Sequence, residues 1–139
     1  HLQNIHYELF QDVYPWAGQL RLVNTYKGEC IFLRYLNIAP LSELLFSCLK
    51  NNFEYLIDNK ENKDLICAFL ARFFVVLNYI HPFREGNGRA LREFIRCLGL
   101  FNNYIIDWSL VEDEEFLNAS IDSVRNYRNF IECIRKTIM

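Results

Sequence analysis

Residues 65–79, LICAFLARFFVVLNY, are apolar on almost every side of a helix, with Arg72 the one charge. A helix without a polar face belongs at the centre of a helical bundle, and the expected class is all-α. It runs straight into Ile80 and His81, so the bundle delivers His81 to a fixed point. With 139 residues, 52% of them hydrophobic, the chain is long enough to bury a core around that helix. It is read as a single domain over 1–139.

The remaining elements follow from periodicity and breakers. Leu2, Ile5, Leu9 and Val13 recur at helical spacing and predict a helix over 1–13, stopped by Pro15 and Gly18. On that helix His6 reads as a partly exposed residue, and Trp16 as a core plug beneath the following loop. Residues 20–32 alternate loosely around Lys27-Gly28, which predicts a hairpin of strands near 20–26 and 29–34. Pro40 suits a first helical turn, and Leu41, Leu44, Leu45, Cys48, Leu49, Phe53 and Leu56 trace one apolar face. Residues 59–64 form a polar turn. A helix is predicted over 88–101, with Leu91, Ile95, Leu98 and Leu100 inward and Asn102-Asn103 ending it. Tyr104 to Trp108 reads as extended. Ser109 with Glu112 resembles a capping box, which assigns residues 112–115 to a helix N-terminus rather than to a metal. The last helix is predicted over 124–138, with Val124, Tyr127, Ile131, Ile134 and Ile138 inward.

Charge and cysteine usage exclude several classes. The formal net charge is −2 with no basic run, so nucleic-acid binding has no electrostatic support. No uncharged apolar run approaches the ~18 residues of a membrane span, so no membrane partner is expected. The five cysteines are widely spaced, form no CxxC, and read as reduced thiols of a cytosolic protein. Cys48, Cys67, Cys97 and Cys133 are expected in the core. Starting at His1 without Met, the chain is expected to be a piece of a longer protein.

The chemistry gathers in IHPFREGNGRALREFIR, residues 80–96. Gly86 and Gly88 allow a sharp turn and close backbone approach to a ligand. A helix opening near Asn87 leaves its first N–H groups free, which makes an anion site. Arg89 and Arg92, three apart, share one face and can fork onto phosphate oxygens. Glu85 is a single carboxylate beside that site, a common way to hold Mg²⁺ against phosphates. His81 can take a proton from a hydroxyl near neutral pH. Together these residues read as a nucleotide-phosphate site with a metal ligand and a general base.

The run His81-Pro82-Phe83-Arg84-Glu85-Gly86-Asn87-Gly88-Arg89-Ala90-Leu91-Arg92 resembles the signature of the Fic-domain family, HxFx(D/E)GNGRxxR, at every specified position. Leu9 to Arg21 and Lys27-Gly28 resemble the family's segment ahead of its active-site hairpin. The resemblance implies a Fic-like helical bundle with a small β-hairpin flap. It implies transfer of AMP from ATP to a hydroxyl of a target protein. His81 is then the base, Glu85 the Mg²⁺ ligand, and Gly86, Asn87 and Gly88 the anion hole, with Asn87 nearest the α-phosphate. Arg89 and Arg92 hold the outer phosphates, and Phe83 anchors the loop in the core. The flap, with Lys27, Gly28, Cys30 and Ile31, docks the target by strand addition. Adenine is expected among Asn118, Asp122, Asn126 and Tyr127.

Family members are often held inactive by a helix carrying (S/T)xxxE(G/N), whose Glu pairs with the second motif arginine, here Arg92. The nearest approach is Thr25 to Cys30, which lacks the last position. The resemblance therefore implies a toxin-type or effector-type enzyme whose brake is supplied elsewhere, by a small antitoxin or by residues ahead of His1. The expected place is the bacterial cytoplasm, or a host cell after translocation. Alternatives are transfer of another phosphate-containing group, or a nucleotide-binding interaction module.

Overall fold

The computed structural model describes residues 1–139. It contains six α-helices: α1 (Leu2–Phe10), α2 (Ile38–Asp58), α3 (Lys63–Ile80), α4 (Asn87–Phe101), α5 (Asp113–Asp122) and α6 (Arg128–Thr137). Between α1 and α2 lies one antiparallel pair, β1 (Tyr26–Lys27) and β2 (Cys30–Ile31).

Helix α3 is central, as its composition requires. It packs against α2, α4 and α6, while α1 packs on α4 and α5 on α6. Ile66, Cys67, Leu70, Ala71, Phe73, Phe74, Leu77 and Ile80 are all buried. Arg72 finds its exit at the surface, where its guanidinium donates to the Tyr127 hydroxyl at 2.6 Å. Asn62 caps the helix start by accepting from Leu65 N–H at 3.1 Å. Phenylalanines carry much of the packing: Phe74 stacks on Phe130 at 4.5 Å, and Phe73 on Phe94 at 5.8 Å. No helix is long and apolar enough to cross a membrane.

Several boundaries differ from the sequence reading, each for a local reason. Helix α1 ends at Phe10, and its buried face is Leu2, His6 and Phe10, while Leu9 and Val13 are exposed. On α2 the inward stripe runs through Ile38, Leu49 and Leu56, flanked by Leu41, Leu45 and Phe53; Leu44 and Cys48 fall outside it. Leu100, near the end of α4, turns outward. Ser109 does not cap α5. Its N–H and hydroxyl both donate to Asp107 Oδ1, and Glu112 takes the N-cap position. Asp113, Glu114 and Glu115 load the first turn of α5, where each favours the helix by ~0.3–1 kcal/mol. Arg125 and Asn126 N–H both donate back to Asp122 O, so α6 starts only at Arg128 and Val124 is exposed.

The hairpin is shorter than its alternation suggested. Tyr26 pairs with Ile31 and Lys27 with Cys30, and Gly28 takes φ 61°, which the turn requires. A two-residue ribbon is not stable alone. It is held at its base, where Phe32 N–H donates to Thr25 O (3.3 Å) and Leu33 N–H to Tyr79 O (3.1 Å).

Candidate active site

The loop between α3 and α4 is closed by side chains of its own. Asn87 is buried; its Oδ1 accepts from Phe83 N–H at 2.9 Å and its Nδ2 donates to Phe83 O at 2.7 Å. Both ends of its amide are thus committed to loop shape, which leaves its backbone N–H, in the first turn of α4, without an intrahelical partner. Phe83 is fully buried, stacked on His6 at 3.9 Å. Gly86 has φ 78°, and a Cβ there would sit 2.5 Å from the Phe10 ring. Gly88 differs: a Cβ there would meet nothing within 4 Å. Protein packing does not account for that glycine; open space in front of the helix mouth does.

His6 is the largest departure from expectation. It is fully buried rather than partly exposed, because α1 turns its Leu2–His6–Phe10 face onto this loop. Gly18 N–H donates to Nδ1 at 2.9 Å, so the ring proton sits on Nε2, which donates to Glu85 O at 2.9 Å. His6 therefore pins the backbone of Glu85 to the turn after α1. Trp16 lies half-buried beside the loop, stacked on Tyr14 at 4.3 Å, with the Arg84 guanidinium 5.3 Å above its ring.

His81 ends α3 in the left-handed region, φ 47°, an uncommon choice for a residue with a side chain. The imidazole lies flat against Phe32 at 3.7 Å and 4°. Its Nδ1 is 3.3 Å from Asn78 O. A carbonyl can only accept, so Nδ1 carries the proton and Nε2 presents a lone pair. Burial lowers its pKa to about 4, with the Arg21 and Lys27 charges pushing the same way against the Asn78 carbonyl and Glu85. The ring is therefore neutral, and able to act as a base, throughout the physiological range. Below pH 6.5 the unfolded chain gains a proton that the folded ring refuses until about pH 4, so stability falls across that window. An NMR titration of the His81 ring should show it still neutral at pH 5.5; a midpoint near 6.5 would contradict this burial.

One cavity of about 500 Å³ collects these groups. Its walls include His81, Glu85, Gly86, Asn87, Gly88, Arg89 and Arg92 from the motif, and Lys27 from the hairpin. Gly28, Cys30 and Ile31 are exposed on the hairpin and do not line it. Asn118 and Asp122 line a separate, smaller cavity between α5 and α6, while Asn126 and Tyr127 line neither. Arg89 rests over Phe10 at 4.5 Å and Arg92 over Phe116 at 5.6 Å. Neither forms a salt bridge, in contrast to Arg96, which is paired with Glu93 at 2.7 Å. Their donors are oriented by aromatic shelves and left available. The Glu85 carboxylate is exposed and makes no hydrogen bond or ion pair. An unpaired carboxylate among cationic donors suits a divalent cation shared with phosphate oxygens.

Sequence reasoning missed three residues that shape this site: His6, Phe32 and Arg21. For His6 the signal was present, since Leu2, His6 and Phe10 recur at i, i+4, i+8. For Phe32 no local pattern marks a ring that stacks on a residue so distant in the chain.

The family model described as "Fic/DOC family" matches residues 1–98. The chain is 40% identical over 125 residues to "Protein adenylyltransferase VbhT" of Bartonella schoenbuchensis, covering 88% of this chain and 25% of that protein. It is 34% identical over 120 residues to "Probable protein adenylyltransferase Fic" of Escherichia coli, covering 86% of this chain and 58% of that one. It thus spans from a quarter to rather more than half of these relatives. Among solved structures, the N-terminal Fic domain of a VirB-translocated Bep effector from Bartonella quintana, with bound ADP, superposes with TM-score 0.83 at 25% identity, covering 99% of this chain and 71% of that one. Bundle, hairpin and motif loop together with the match over residues 1–98 lead to one conclusion: the chain belongs to the Fic/DOC family.

Proposed function

We propose that the chain transfers AMP from ATP to a hydroxyl side chain of a target protein. The observation that carries this reading is a neutral His81 with its Nε2 lone pair free, at the wall of a cavity that also holds the α4 mouth and two unpaired arginines. The names of the relatives support it, as does the ADP bound in the B. quintana domain.

The steps follow from the residues. The triphosphate settles against the free N–H groups of the first turn of α4, with Gly88 leaving room for close approach. Arg89 and Arg92 fork onto the outer phosphates and fix the direction of the leaving group. Glu85 would hold Mg²⁺ against the phosphates, where the ion neutralises developing charge. The target's hydroxyl oxygen bonds to the α-phosphorus as its proton passes to His81 Nε2. The bond from that phosphorus to the bridging oxygen breaks, and pyrophosphate leaves with the electron pair. Charge on the α-phosphate oxygens is met by backbone donors already in place. Lys27, Gly28, Cys30 and Ile31 belong to the flap against which the target chain lies, by main-chain pairing along the exposed hairpin edge. Glu85, His81 and the glycines thus serve one reaction centre, and the hairpin sets what enters it.

The brake is expected to come from outside residues 1–139, as a small antitoxin or another segment of the protein, with Arg92 as its contact. Activity in the bacterial cytoplasm fits a toxin, and activity in a host cell fits an effector; the Bep effector likeness supports the second.

Incubating the protein with ATP labelled on the α-phosphate, Mg²⁺ and a cell lysate should label proteins, and mass spectrometry should find a whole nucleotide added to a hydroxyl. Label transferred only from the γ-phosphate, or no labelling at all, would refute AMP transfer.

A further inference from the structure

We propose that Arg21 is a positioning residue for transfer: one buried guanidinium fixes the hairpin that presents the target relative to the base at His81. The inference rests on the transferase reading above and adds a residue to it. Arg21 lies just after the turn that closes α1 and is only 1% exposed. It has no carboxylate partner. Its donors go instead to four carbonyls on three segments. Nε donates to His81 O at 2.7 Å and Nη2 to Ile80 O at 3.0 Å. Nη1 donates to Val23 O at 2.7 Å, and Nη2 also to Leu33 O. Its own backbone N–H donates to Pro82 O at 2.9 Å.

The identity of those acceptors matters more than their number. Ile80 and His81 hold carbonyls at the end of α3, which lack intrahelical partners and sit at the negative end of the helix. Val23 precedes β1 and Leu33 follows β2, so the same side chain grips both roots of the hairpin. Phe32, next to Leu33, is the ring stacked on the His81 imidazole. A shift of the Leu33 root therefore moves the surface against which the base lies. A lysine offers donors from a single point, whereas the planar fork fixes the directions among all three segments.

Arg21→Ala and Arg21→Lys are the test, made in the full chain. Amide hydrogen exchange should show the hairpin, residues 26–31, losing protection in both. Transfer to target should fall on the order of 10²-fold, as expected for a reacting pair displaced by about an ångström. Nucleotide affinity should stay within about twofold, since the phosphate-binding donors lie elsewhere. Millimolar guanidinium should restore part of the transfer by Arg21→Ala. If that variant fails to fold, Arg21→Lys alone decides. Folded variants with unchanged hairpin exchange and wild-type transfer would overturn the proposal, as would nucleotide affinity falling in step with transfer. Were the wild-type chain itself inactive, the transferase reading would fail, while hairpin exchange would still judge the tie.

Discussion

Replacing His81 by Ala is expected to lower AMP transfer by roughly 10²–10⁴-fold, the usual contribution of a positioned base, while ATP still binds. The separation follows from where the groups sit. In the proposed reaction the phosphate contacts come from the α4 mouth and from Arg89 and Arg92, whereas His81 closes α3 on the other side of the loop. His81 also holds φ 47°, which Ala tolerates poorly. His81→Asn is the better control, because Asn accepts the left-handed region and has no basic nitrogen. Calorimetry with ATP and a transfer assay on both variants check the point. Loss of ATP affinity in His81→Asn would show that the ring binds nucleotide rather than activating the hydroxyl.

The two motif glycines should respond in opposite ways to Ala. At Gly86 the added methyl would lie 2.5 Å from Phe10 Cε2, on a backbone at φ 78°. Left-handed strain of ~1–2 kcal/mol and overpacking of ~1–3 kcal/mol together predict destabilisation by about 2–5 kcal/mol. At Gly88 the methyl meets no protein atom within 4 Å, and Ala favours a helix by up to about 1 kcal/mol. Gly88→Ala should therefore melt no lower than wild type, yet bind ATP more weakly, because the methyl enters the space proposed for the phosphates. Thermal melts beside calorimetry test both. A Gly88→Ala variant with undiminished ATP affinity would remove that glycine from the binding site.

These contrasts show what the sequence could and could not display. The central helix was legible because a helix apolar all round has one possible location. The motif loop was legible because its glycines, arginines and carboxylate are adjacent in the chain. The other helices were legible from periodicity and breakers, and the resemblance joined them into one fold. The supporting residues were hidden for the opposite reason. Arg21 meets Ile80 and His81 across a long stretch of chain, and an arginine in an unremarkable loop gives no sign that its partners will be carbonyls. His6 was misplaced by choosing Ile5 and Leu9 as the inward stripe, when two apolar faces compete on a short helix. The resemblance puts Asn87 in the anion hole, and no local pattern shows that its side-chain amide also closes the loop. Element ends drifted where side chains took up backbone groups, as Asp107 does for Ser109.

The aromatic shelves under Arg89 and Arg92 have a further effect, on how a nucleotide arrives. The chain as a whole is acidic, with a formal charge of −2, and a uniformly negative surface would repel a polyanion. Cations seated on rings instead of carboxylates keep their full field, and the low-dielectric walls around them focus it outward. Encounter is thus biased toward one mouth of the molecule, and added salt weakens that bias as the screening length shrinks to about 10 Å at 0.1 M.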